Sequence, residues 1–252
     1  NFYAAHLRGR ELCLGPLTGV AAQLPRASGI TLPSGYIIAN DYIVGPGVNL
    51  SGANLTGANV NGADLTNVNL TGVSGQLSDA SGITLPSGYI IADNFIVGAG
   101  VNLSGAMISG GFLSRINLNS ADLSNINLTD ARLYNVDLIN ANLTSAKLTG
   151  IELIYVDLIN ANLTDADLTN VNLTNINLTG ISGQLSDTSG ITLPSGYIIA
   201  NNYIVGPGVN LSGADLTGAD LSGIDLSGIN LSGADLTGAD LNNANLTNAN
   251  LT

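Results

Sequence analysis

The chain has 252 residues, a formal net charge of -12 and only 10% charged residues, which leaves its surface to neutral Asn, Ser, Thr and Gly. Six basic residues, none of them after Lys147, argue against direct contact with nucleic-acid phosphates and against electrostatic docking on an anionic membrane. The single cysteine, Cys13, excludes an internal disulfide framework and a cysteine-based zinc site. No apolar run reaches the roughly 18 residues of a membrane span, and no signal peptide is visible.

Residues 1–19 read as an irregular end or a degenerate repeat. They hold the one histidine, His6, beside Arg8, Arg10, Glu11 and Cys13. A Cys and His pair is the raw material of nucleophilic catalysis, but no cleft is expected here, and a solvated end segment is the better reading. The chain starts at Asn1 without Met and stops within a repeat at Thr252, as a processed or partial chain would.

Residues 20–47 form a 28-residue module that recurs at 73–100 and 181–208, with the core SGITLPSGYIIANDYIVGPG. Tyr36-Ile37-Ile38-Ala39 and Tyr42-Ile43-Val44 are strand-forming. Asn40-Asp41 between them tolerate the positive φ of a two-residue primed turn, so a β-hairpin is expected. The competing reading is one oversized coil built of six-residue blocks. Tyr36, Ile38 and Tyr42, with Tyr89, Ile91 and Phe95 and then Tyr197, Ile199 and Tyr203 in the later copies, are expected to pack the module against the neighbouring coil end, whose open strand edge needs cover.

Residues 48–72, 101–180 and 209–252 repeat with a period of five. From Val101 to Gly180 there are sixteen consecutive blocks, the third position being Leu in fifteen and Ile108 in the other. Position one is small or β-branched, position two favours Asn or Asp, position four Ser or Thr, and position five Gly, Asn or Asp. Five fits neither the 3.6-residue helix period nor strand alternation. Positions one and three point inward from a short extended stretch, position five bends the chain, and stacked coils bury a Leu column at a spacing of about 4.8 Å.

Runs such as ANLTGANVNGADLTNVNL and GADLTGADLNNANLTNANLT resemble the pentapeptide-repeat family, whose motif is A(D/N)LXX. The resemblance implies an all-β fold, a right-handed quadrilateral β-helix with four blocks per coil, here interrupted by three hairpin-like modules. Some gyrase-protecting members of that family are described as DNA mimics.

In the last run Asp215 and Asp220 are expected to stack over Asp235 and Asp240, where like charges repel. Such pairs allow weak calcium binding or an acidic display, although a solvated face is the simpler account. The sharpest departure from the repeat is apolar. Tyr134, Ile139, Ile154, Tyr155 and Ile159 occupy fourth and fifth positions, and a twenty-residue coil places Tyr134 beside Ile154 and Ile139 beside Ile159, near Arg115, Arg132 and Glu152. A stacked apolar patch rimmed by charge is what an interface looks like. The expectation is a non-enzymatic structural protein without cofactors that assembles with itself into a filament, fibre or surface layer, outside the cell or on its surface. The alternative is a soluble acidic binding module in the cytoplasm that protects gyrase.

Overall fold

The computed structural model describes residues 31–252 and confirms the solenoid. Residues 1–30, with His6, Cys13 and the first eleven residues of the first module, lie outside the described residues. The chain divides into two compact units, one ending at Leu103 and one spanning Ser104–Thr252.

In both units parallel bridges join residues twenty apart, as in Asn49 to Asn69 and Asp122 to Asn142, so four blocks make one coil and one side of the coil per block. Leu55, Leu65, Leu123 and Leu168 are fully buried third-position residues, with Ala and Val at first positions beside them. The corner between sides has a clear local cause. The second-position Asn or Asp turns its side-chain oxygen onto the N–H two residues on, at 3.0 Å in Asn54 to Thr56, Asn162 to Thr164 and Asp220 to Ser222. The fifth residue then takes positive φ, as at Gly57, Asn125 and Asp165. Asn230 links the rungs further, donating to Asn210 at 2.9 Å and accepting from Asn250 at 3.1 Å.

The hydrogen bonds that make these corners also hold carboxyls below their usual range. The Ser81 hydroxyl, then the Asn61 amide and the Ser81 N–H, bring Asp79 down to about 2, and Asp64, Asp215, Asp220 and Asp235 are lowered by their Thr or Ser partners. A carboxyl whose folded value is depressed stabilises the fold above its unfolded value and loses that contribution as pH falls. Thermal melts should therefore be flat above pH about 5 and drop between about pH 4 and 2. A melting temperature that rises on acidification through that window would contradict this role.

The module unites the two readings offered above: it is a coil of twenty residues carrying an eight-residue excursion that forms a hairpin. In the first unit β1 (Ile37–Ala39) pairs antiparallel with β2 (Tyr42–Val44), and β3 (Ile90–Ala92) with β4 (Phe95–Val97). Asn40 and Asp41 have φ of 49° and 63°, as a primed two-residue turn requires. The Tyr36 ring lies where a Cβ on Gly45 would sit, and its hydroxyl donates to the Pro46 carbonyl at 3.0 Å. Tyr89 does the same over Gly98, donating to Ala99 at 2.9 Å. Ser74, Asp79 and Thr84 stack on Asn54, Asn59 and Asp64, and the coil then resumes 28 residues on, with Ser74 bridged to Asn102.

The second unit holds β5 (Phe112–Ser114), β6 (Arg132–Tyr134) and β7 (Glu152–Ile154), which form a three-stranded parallel sheet, and the hairpin of β8 (Ile198–Ala200) and β9 (Tyr203–Val205). Module three shows how the hairpin sits. Ser182, Asp187 and Thr192 stack on Asn162, Asp167 and Asn172 below. At the first of these sides Gly183 replaces the usual third-position Leu, and the hairpin's Ile204 joins Leu163, Ile181, Leu185, Val209 and Leu211 around it. The hairpin tip crosses to the far edge, where the Asn202 carbonyl accepts the Leu185 N–H at 2.8 Å and the Asn201 amide donates to Asp215 and Thr217 of the next coil at 3.1 and 3.2 Å. The hairpin is thus wedged between two coils. They stay laddered at one corner, through Gly180 to Gly208 and Asn210 to Ile181.

Candidate functional site: an apolar ledge on the second unit

Sheet β5–β6–β7 is the place where the coil changes shape, and the sequence explains why. Its three blocks, GFLSR, ARLYN and IELIY, put Phe112, Arg132 and Glu152 where Asn or Asp normally stands. Without that side-chain acceptor the tight corner does not form, and the strand runs on through position four. Met107 and Lys147 also lack the acceptor, but Gly110 and Gly150 follow them at position five and the tight corner survives.

The result is a flat ledge with two outward columns. Phe112, Arg132 and Glu152 form one, in register along the sheet; Ser114, Tyr134 and Ile154 form the other. Phe112 is 65% exposed and Ile154 46%. Tyr155 stands at the corner with φ of 54°, and its ring meets Tyr134 edge to face at 5.6 Å and 84°. Arg132 and Glu152 pair at 2.9 Å across the exposed surface. An exposed ion pair of this kind adds little to stability.

One edge of the ledge is open. In the next coil Asn172 restores the side-chain acceptor, its oxygen bonding the Thr174 N–H at 3.0 Å, and the backbone returns to the tight corner. The two paths diverge. Among the described residues, β7 has no strand partner on that side, and Asn172 bridges onward to Thr192. A recess lined by Gly150, Ile151, Glu152, Leu153, Ile154, Asn170 and Asn172 opens between the coils.

The structure therefore brings together Tyr134, Ile154, Tyr155 and Arg132, with Arg115 exposed at the corner of the same face. Ile139 and Ile159 lie half-buried on the adjoining side. Phe112, the recess and the exposed Met107 were not foreseen. Their signal was available at position two, since three blocks spaced by twenty lack Asn or Asp there. The nine module residues named above, Tyr36, Ile38, Tyr42, Tyr89, Ile91, Phe95, Tyr197, Ile199 and Tyr203, are all half-buried. In the last run Asp215 stacks on Asp235 and Asp220 on Asp240, as two acidic pairs on adjoining sides of the coil, while the other two sides pair Asn210 with Asn230 and Asp225 with Asn245. Among the described residues no group of three or more His, Cys, Asp or Glu is arranged to hold a metal ion, and no helix is long and apolar enough to cross a membrane.

The family model for pentapeptide repeats matches eight copies, over residues 46–73, 99–180 and 207–252, which is more than half of the chain. The chain belongs to the pentapeptide-repeat family. Solved pentapeptide-repeat structures similar to it include HetL, involved in heterocyst differentiation regulation in the cyanobacterium Nostoc, at 31% identity and a TM-score of 0.31, over 81% of this chain and 87% of that one. Rfr23 from the cyanobacterium Cyanothece is similar at 24% identity and a TM-score of 0.28, over 60% and 91% of the two chains. QnrB1, a plasmid-mediated fluoroquinolone resistance protein, follows at 19% identity and 0.26, over 79% and 86%. Comparison with curated protein sequences found no match. The ledge is a local departure from the pentapeptide-repeat pattern itself, legible in the blocks that break it.

Proposed function

We propose that this protein is a non-enzymatic structural component that associates with copies of itself, side to side, through the ledge of β5, β6 and β7. The observation that carries this reading is the gathering of Phe112, Tyr134 and Ile154 on one sheet with Tyr155 at its corner, exposed by between 38% and 74%. Neighbouring sides of the coil present mostly Asn, Asp, Ser and Thr in the same positions, with Met107, Lys147, Ile139 and Ile159 as the exceptions. An apolar, aromatic centre beside a charged pair is the composition of an association surface. Assembly into a filament, fibre or surface layer outside the cell, with the solenoid ends and the modules adding contacts beyond those of the ledge, is the wider form of this reading, supported by the small share of charged residues.

The test is the mass in solution, by light scattering across a concentration series. The protein should form species larger than one chain. Changing Tyr134→Ser with Ile154→Ser should weaken association by roughly tenfold or more, since hot-spot residues each contribute over about 1 kcal/mol. Both side chains point out of the sheet, so melting should be unchanged. A wild-type chain that stays monomeric at all concentrations would overturn the reading.

A further inference from the structure

The ledge has a feature beyond its apolarity: it is complementary to itself in one orientation. The three rows of its sheet are spaced by one strand separation, about 4.8 Å, and run Phe112 with Ser114, Arg132 with Tyr134, and Glu152 with Ile154; beyond them, set apart by the recess, lies the row of Asn172. We infer that two copies pack face to face with their solenoid axes antiparallel, about a twofold axis that runs along the strands between β6 and β7. This inference rests on the self-association proposed above and adds its geometry.

A twofold axis in that place sends each row to a defined partner row. Arg132 of one copy meets Glu152 of the other, and Glu152 meets Arg132, so the ion pair within each chain becomes a ring of four alternating charges. Tyr134 meets Ile154 twice. The row of Phe112 meets the row of Asn172, which places each Phe112 ring at the recess between β7 and the next coil. A projecting ring and a hollow two rows away on the same surface are the two halves of an isologous contact. An axis through β6 itself would set Arg132 against Arg132. A parallel arrangement, with the axis along the solenoid, would set Glu152 against Ile154 and offer Phe112 no hollow. Only the antiparallel pairing satisfies every row.

Charge reversal on the full chain tests this. Arg132→Glu alone, and Glu152→Arg alone, each place like charges in all the cross-contacts and should weaken dimerisation at least tenfold. An equimolar mixture of the two single variants should recover it, because one chain then carries only acids and the other only bases on the ledge, and the dimer should be mixed. Phe112→Ala should weaken dimerisation comparably without altering the melt. Recovery in the mixture establishes the antiparallel pairing. A dimer that Tyr134→Ser with Ile154→Ser disrupts, but that ignores charge reversal and shows no preference for mixed pairs, overturns the antiparallel pairing while leaving ledge association standing. A dimer that ignores the ledge variants altogether overturns both.

Discussion

Replacing Gly183 by Ala should lower stability by about 2–6 kcal/mol, the sum of a strained backbone and an overpacked contact. Gly183 has φ of 103°, outside the region that an L residue adopts easily, and a Cβ there would overlap the backbone nitrogen of Thr164 in the coil below. The chain comes so close because the module has dropped its third-position Leu at this side, letting Ile204 of the hairpin enter the column instead. Gly75 repeats the arrangement in the first unit, with φ of 97° against Thr56, so Gly75→Ala should cost a similar amount. Denaturant unfolding followed by circular dichroism measures both. A loss under about 0.5 kcal/mol, typical of an unremarkable surface site, would show that the coils can separate there without penalty.

Cutting Leu143 to Ala should cost about 2–5 kcal/mol, the range for emptying a well-packed core site. Leu143 is 1% exposed, and its neighbours in the column are other third-position Leu residues and the small Ala at position one. The backbone is held on both sides, by Leu143 N–H to Asn162 at 2.8 Å and Asn142 N–H to Ala121 at 3.0 Å, so collapse into the cavity is resisted. Each coil touches only its neighbours, and the loss should therefore appear as local opening around Leu143. Hydrogen exchange should rise first in residues 121–165 and least in residues 209–252. Uniform acceleration along the second unit would mean that the solenoid unfolds as one cooperative block.

The five-residue period and the Leu column were legible because one residue type held one position without slippage. The hairpins were legible for the same kind of reason: Asn40-Asp41 has few other uses between two β-branched strands. The relation of hairpin to coil was not. The sequence offered a hairpin or an enlarged coil as alternatives, and the subtraction that reconciles them, 28 less 20, needs the coil length as well as the module length. Tyr134 and Ile154 were found because they break the rule at position four. Phe112 is invisible to a reading of positions four and five, because its signal lies at position two, which carries the acceptor that makes the corner. The recess could not be read from residues at all. It arises from the mismatch of two backbone paths, and no single side chain announces it.

The eight-residue excursion also makes the chain a kind of counter. A whole coil lies inside the second module and inside the third, so such a module leaves the angular phase of the next block unchanged, and only the number of five-residue blocks between modules turns it. In the first unit five blocks separate module one from module two, one more than a full turn. Gly47 accordingly meets Thr66 on one side of the coil, and Gly100 meets Gly72 on the next. Inserting or deleting one block would swing the following hairpin by a quarter turn, whereas four would only move it along the axis. Duplication of whole coils is then a silent change in direction, and duplication of single blocks is a way of pointing a hairpin, with whatever it carries, toward a new neighbour.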